Sequence, residues 1–276
     1  MTKTIAIAAA TALLLAAGTA QAGPYVLPSA VQFEGKEAFV TVDASTAEHA
    51  FDLGRAIPLD GLVITGPDGS TLTPDATQTG RARSSFELKL TQPGTYRFAI
   101  VQKSVSGSYT LDGETKRFRG SADTYAKDLP AGATDVKVST MLSRYEAYTS
   151  LGAPNDTALQ PVTEGLQIIP QSSPSELIAG EKTVFIAYLD GKPIADLDVR
   201  VIPGGARFRG ILKDVAYKTG TDGRFEVSWV EGGLYNMVAS YPPRRPQGEA
   251  GSAETRGAAQ PERRVSFSAT FEAQPF

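Results

Sequence analysis

The sequence predicts an all-β protein, two β-sandwich domains in tandem behind a cleaved signal peptide. Three observations carry this. Short runs of alternating apolar and polar residues recur down the chain between Gly, Pro, Asn and Asp turns, and no long amphipathic helix interrupts them. The 276 residues leave room for two domains of ordinary size. A strand-opening pattern also occurs twice. Gly94-Thr95-Tyr96 and Gly233-Leu234-Tyr235 each place a glycine two residues before a tyrosine that begins an apolar strand, which points to two similar modules in series.

Residues 1–22 read as a secretory signal peptide. Lys3 supplies the positive start, Ile5 to Ala17 the apolar stretch, and Ala20-Gln21-Ala22 the small-residue cleavage site. The mature chain then starts near Gly23, and no later run reaches the ~18 apolar residues of a membrane span. The expected location is the periplasm.

The first domain is assigned to residues 23–151. Ala38 to Val42, Leu59 to Thr65 and Phe86 to Leu90 read as strands, the last expected to pair with Thr95 to Gln102 across Gln92-Pro93-Gly94. Ser45 to Arg55 reads as an irregular loop or a short helical turn. Asp112-Gly113-Glu114 marks a hairpin, Asp123 to Leu129 a small helix, and Val136 to Ser150 a long strand. Residues 152–164 carry Gly152, Pro154, Asn155, Asp156 and Pro161 without a strand period and read as the linker.

The second domain is assigned to residues 165–276. Asp190-Gly191 and Asp222-Gly223 both read as hairpin turns. Phe225, Val227 and Trp229 then alternate with Glu226 and Ser228, and Gly232-Gly233 reverses the chain. Residues 242–262 hold almost no large apolar side chain and read as a mobile loop, because too little surface can be buried to offset the cost of ordering. Arg263 to Ala273 is the closing strand.

Composition excludes several chemistries. There is no cysteine, so there is no disulfide, thiolate metal site or cysteine nucleophile, and only one histidine, His49. A net charge of −3 argues against a nucleic-acid partner, which calls for a concentrated positive surface. No Gly-x-Ser-x-Gly occurs, and any hydrolytic triad would have to use His49 as its base.

Two candidate sites remain. Glu48, His49 and Asp52 are the only imidazole and carboxylates close in sequence, a set that could contribute to a divalent transition-metal site. The plainer alternative is a solvated polar loop. Arg81 with Arg83, and Arg207 with Arg209, stand at i, i+2, which puts each pair on one face of a strand, where it could grip an anion. Their alternative is edge-strand charge that blocks aggregation.

The series Gly165-Leu166-Gln167-Ile168-Ile169-Pro170, Ala179-Gly180-Glu181, Asp190-Gly191-Lys192-Pro193 and Thr221-Asp222-Gly223-Arg224-Phe225 resembles the bacterial exported family of unknown function numbered 4198. The likeness extends upstream through Pro67-Asp68-Gly69, Arg83-Ser84-Ser85-Phe86 and Gly94-Thr95-Tyr96-Arg97. The Asp-Gly-Lys-Pro and Thr-Asp-Gly-Arg-Phe pair is also similar to transthyretin-like and carboxypeptidase-regulatory-like sandwich domains, which implies such a sandwich for the second half and fits the two tandem Ig-like or transthyretin-like sandwiches expected from the strand pattern and length. The family resemblance further implies a periplasmic component near nickel or cobalt uptake, or near an outer-membrane receptor. Members commonly begin the mature chain with a histidine and carry another just after the position of Phe51. Here Gly23 and Arg55 stand there, and a guanidinium stays protonated and cannot ligate a metal.

The expectation is a non-catalytic binding or accessory protein of the envelope with an envelope protein or uptake receptor as partner. The alternatives are a structural interaction module and an enzyme built from dispersed carboxylates.

Overall fold

The computed structural model describes residues 23–243 and 262–275. The predicted signal peptide and nearly all of the predicted loop at 242–262 lie outside the described residues. The first half contains β1 (Gly23–Pro28), β2 (Gln32–Phe33), β3 (Ala38–Ala47), β4 (Arg55–Ala56), β5 (Leu62–Thr65) and β6 (Thr71–Leu72). It continues with β7 (Ala76–Thr79), β8 (Ser84–Leu90), β9 (Gly94–Leu111), β10 (Glu114–Ser121), the short helix α1 (Tyr125–Asp128) and β11 (Thr134–Leu151). The second half holds β12 (Leu166–Pro170), β13 (Lys182–Leu189), β14 (Lys192–Pro193), β15 (Asp198–Pro203) and the one-turn helix α2 (Ala206–Arg209). It ends with β16 (Val215–Lys218), β17 (Arg224–Ser228), β18 (Gly233–Tyr241) and β19 (Arg263–Ala273).

The fold is all-β, as the alternation predicts, and it forms three sheets. A five-stranded sheet runs β1-β3-β8-β7 with β4 beside β3, and a four-stranded sheet runs β12-β13-β14 with β17 beside β13. Between them lies a ten-stranded sheet, β16-β15-β18-β19-β11-β9-β5-β6, to which β10 and β2 add. The join is the parallel pairing of β11 with β19, Thr140 opposite Arg263 through Glu146 opposite Ala269.

Directly paired residues share a face of a sheet, so the register shows where each core sits. Ile100, Phe98, Ala147 and Leu151 face one way and pack with Val40, Phe86 and Leu88 of the five-stranded sheet. Leu142, Tyr148, Phe267 and Phe271 face the other way and pack with Phe185, Val227 and Trp229 of the four-stranded sheet. The two cores thus lie on opposite faces of one shared sheet. Each large side chain buried there contributes about 1.5–3 kcal/mol before packing effects.

Two expected hairpins are true ones. Asp112-Gly113 and Asp190-Gly191 each form a two-residue loop with both residues at positive φ, the geometry that matches the twist of antiparallel strands. Three others are corrected. β8 does not pair with β9, β16 does not pair with β17, and β17 does not pair with β18. Each of these turns carries the chain from one sheet to the facing sheet. The repeated Gly-x-Tyr pattern marks two of the crossings. The Tyr96 hydroxyl donates to Gln92 O (2.9 Å) and accepts from Gln92 N (3.0 Å); the Tyr235 hydroxyl donates to Glu231 O (2.7 Å) and accepts from Glu231 N (3.2 Å). These are tyrosine corners, a hallmark of Ig-like sandwiches. They tie the arriving strand to the bend before it.

Candidate functional site

The irregular stretch around His49 is a tight turn at the end of β3, and it is one of the places where the two halves meet. Asp52 N donates to His49 O at 3.2 Å, and Phe51 sits in the left-handed region at φ 72. This throws the Phe51 ring outward, 5.4 Å from the Tyr25 ring and onto Gly204 of the second half. A Cβ at Gly204 would stand 3.0 Å from the Phe51 ring, so any larger residue there would push the ring back by a few tenths of an ångström. The Tyr25 hydroxyl holds the turn by donating to Asp52 O at 3.0 Å, and burial pushes its phenol pKa up.

Glu48, His49 and Asp52 do not converge as a ligand set. Glu48 is exposed, His49 is half-buried with its Nδ1 buried and unpartnered, and the Asp52 carboxylate pairs with Arg207 Nε at 3.3 Å. Among the described residues no group of three or more His, Asp or Glu side chains is placed to hold a metal ion.

The arginine pairs depart from the strand geometry expected of them. Arg81 and Arg83 lie in the bend before β8, where Arg83 pairs with Asp43 at 3.0 Å and the Arg81 carbonyl accepts from Ala56 N. Arg207 and Arg209 lie on α2, whose flanking Gly205 and Gly210 have positive φ and confine it to one turn. At about 100° per residue, i and i+2 point to nearly opposite sides of a helix. Arg207 therefore reaches Asp52, while Arg209 turns inward and donates to the carbonyls of Pro203, Gly204 and Leu212. The two candidate sites, distant in sequence, meet in one joint. Beside it lies a hollow of about 280 Å³ lined by Phe51, Gly204, Gly205, Arg209, Glu231 and Leu234 among others.

A second polar cluster has no counterpart in the sequence reading. Arg144, Glu146 and Tyr148 alternate on β11 and point into the second core. The Glu146 carboxylate is fully buried. It accepts from Arg144 Nη1 (3.2 Å), Tyr148 OH (2.6 Å) and Gln167 Nε2 (3.0 Å). Burial, and next the Glu146 charge, push the Tyr148 phenol well above its ordinary value, so it stays a neutral donor. Arg97, opposite Tyr148 on β9, reaches Gln160 O at 3.0 Å and so fastens the 152–164 segment to the sheet. The i, i+2, i+4 alternation of 144, 146 and 148 is visible in the sequence. What it lacks is any sign that β11 acquires a second partner strand and a second core.

Three comparisons place the chain among known proteins. None of the curated proteins matches it. Among solved structures it is similar to the D0-D1 domain of intimin, with 12% identity, 89% of this chain and 96% of that one covered, and a TM-score of 0.24. It is also similar to the Yersinia pseudotuberculosis adhesin InvE, with 12% identity, 90% and 58% covered, and a TM-score of 0.21. The D00-D0 domain of intimin gives 10% identity, 91% and 98% covered, and a TM-score of 0.21. The model of the family described as a domain of unknown function, DUF4198, matches residues 22–242. That match takes in most of the chain, including both tyrosine corners and the joint at Phe51, and the protein belongs to this family.

Proposed function

We propose that the protein is a non-catalytic accessory protein of the cell envelope, exported to the periplasm, that holds a partner rather than transforms a substrate. One observation carries this reading: the polar groups best suited to chemistry are spent on structural contacts within the fold. Asp52 is paired with Arg207, Arg209 is turned onto backbone carbonyls, and Glu146 is surrounded by three donors. A carboxylate held in that way is a poor general base, because its lone pairs are already engaged.

The link to nickel, cobalt or receptor-dependent uptake is the finer part of the proposal. Calorimetric titration of the mature protein with Ni²⁺, Co²⁺, Cu²⁺ and Zn²⁺, alongside His49→Ala, tests it. Submillimolar binding that His49→Ala weakens supports it. Binding no tighter than millimolar, with His49→Ala silent, removes the metal link.

A second reading, an envelope interaction module, is favoured by one surface. β16 is an open edge of the ten-stranded sheet, and Val215 and Val230 border a hollow of about 130 Å³ beside it. Val230 is 81% exposed, and Phe208, on α2, is 79% exposed. An apolar open edge is suited to strand addition. Affinity capture from the periplasm with wild type and with Val230→Lys tests this. Loss of a specific partner in the variant supports it, and the same partners in both count against it.

A further inference from the structure

Beyond the body of the molecule, β9, β10 and the first part of β11 form a three-stranded arm, and its two faces differ in chemistry. One face carries Tyr109 and Phe118. Phe118 lies over Gly107, where a Cβ would come within 2.7 Å of its ring, and Tyr125 of α1 stacks on it at 5.9 Å. This face is closed by its own aromatic cluster and helix.

The other face follows from the register. Arg117, Ser108 and Lys137 form one row across the three strands, and Arg119 and Ser106 begin the next. Toward the tip, Thr115 faces Thr110; toward the base, Ser121 faces Ser104. Rows repeat about every 6.8 Å along a strand, with strands about 4.8 Å apart. The result is a lattice of hydroxyls on the middle strand flanked by cations on the outer two. Arg117, Arg119 and Lys137 are exposed, and among the described residues none of them has a salt bridge. Glu114 shares the aromatic face with Lys116 and Phe118, while Asp112 and Asp135 sit in the turn and the bulge at the tip. In a chain of net charge −3, this is a local positive surface without carboxylates in its rows.

We propose that this face binds a carboxylate-bearing polysaccharide laid along the arm. Charge complementarity calls for an anionic partner, since arginine matches the two oxygens of a carboxylate. The hydroxyl rows favour a polyol, because serine and threonine both donate to and accept from sugar hydroxyls. The aromatic rings lie on the other face, which leaves no stacking platform for nucleic-acid bases. The inference rests on the export part of the function proposed above, and its test on purified protein can fail separately from partner capture or metal titration.

The test is binding of the full mature protein to polygalacturonate, with neutral dextran and poly-L-glutamate of matched charge as comparisons. The expected result is salt-sensitive binding to polygalacturonate, weaker binding to polyglutamate and none to dextran. The triple variant Arg117→Ala, Arg119→Ala, Lys137→Ala should lose about tenfold or more in affinity, from three exposed ionic contacts of modest strength. Lys116→Ala on the opposite face, with the same kind of charge change, should leave binding intact. Ser106→Val with Ser108→Val should weaken polygalacturonate more than polyglutamate. No binding to polygalacturonate, equal binding of both polyanions, or insensitivity to the triple variant with an unchanged melting temperature would each overturn the proposal.

Discussion

Glu146 is a carboxylate removed from water, and the cost of burying it is offset by three donors on three side chains. Removing one neutral donor and removing the cation paired with the carboxylate should therefore differ. Tyr148→Phe, which deletes a single hydrogen bond, is expected to cost about 1–3 kcal/mol in urea unfolding. Arg144→Met, which removes the carboxylate's ion-pair partner, is expected to cost about 3–5 kcal/mol, and the further change Glu146→Leu should recover much of that loss. Asp190 gives a pH-dependent counterpart at the surface. The Arg263 guanidinium, donating to both of its oxygens at 2.7 and 2.8 Å, holds its carboxyl below the usual carboxylate range. A depressed pKa stabilises the fold above the unfolded value of about 3.9, and that contribution is lost as pH falls through the lower folded value. Asp190→Asn keeps the left-handed turn residue, so wild type should exceed it by less than about 1 kcal/mol at pH 7, with the difference fading in acid. The spacing of Arg144, Glu146 and Tyr148 was legible in the sequence, but Asp190 with Arg263, and Glu146 with Gln167, meet only through pairings between distant strands.

The strands themselves were largely legible. Phe225, Val227 and Trp229 alternate as read and are buried, and β11 and β19 occupy nearly their expected spans. What the turns failed to disclose is the destination of the next strand. Asp-Gly at 190–191 makes a hairpin while Asp-Gly at 222–223 carries the chain across to the facing sheet, since only at 190–191 do both residues take positive φ. The glycine two residues before each corner tyrosine gives an element-level prediction. Gly94 has φ 129, and a Cβ there would meet Pro67 Cβ at 2.6 Å; Gly233 has φ 141 with nothing within 4 Å. Both alanine variants should lose stability through backbone strain, and Gly94→Ala should lose more because strain and collision add. Equal losses in thermal unfolding would show that crowding at Pro67 is relieved by small shifts.

At the scale of the whole molecule, two cores share one sheet, so neither half closes without the other. Calorimetry of the mature chain should show a single cooperative transition, whereas chains cut to 23–151 or 165–276 should lack one, since β11 and β19 each lose a partner. Two separate transitions in the intact protein would contradict a shared sheet. The same arrangement sets an order of assembly. Synthesis delivers β11 long before β19, so its free edge must wait for the end of the chain. During that wait Arg144 and Glu146 stand on the face that will become the second core, and charges pointing inward from an open strand discourage pairing with a stranger. The groups that are costly once buried are the ones that keep the nascent sheet from joining the wrong neighbour.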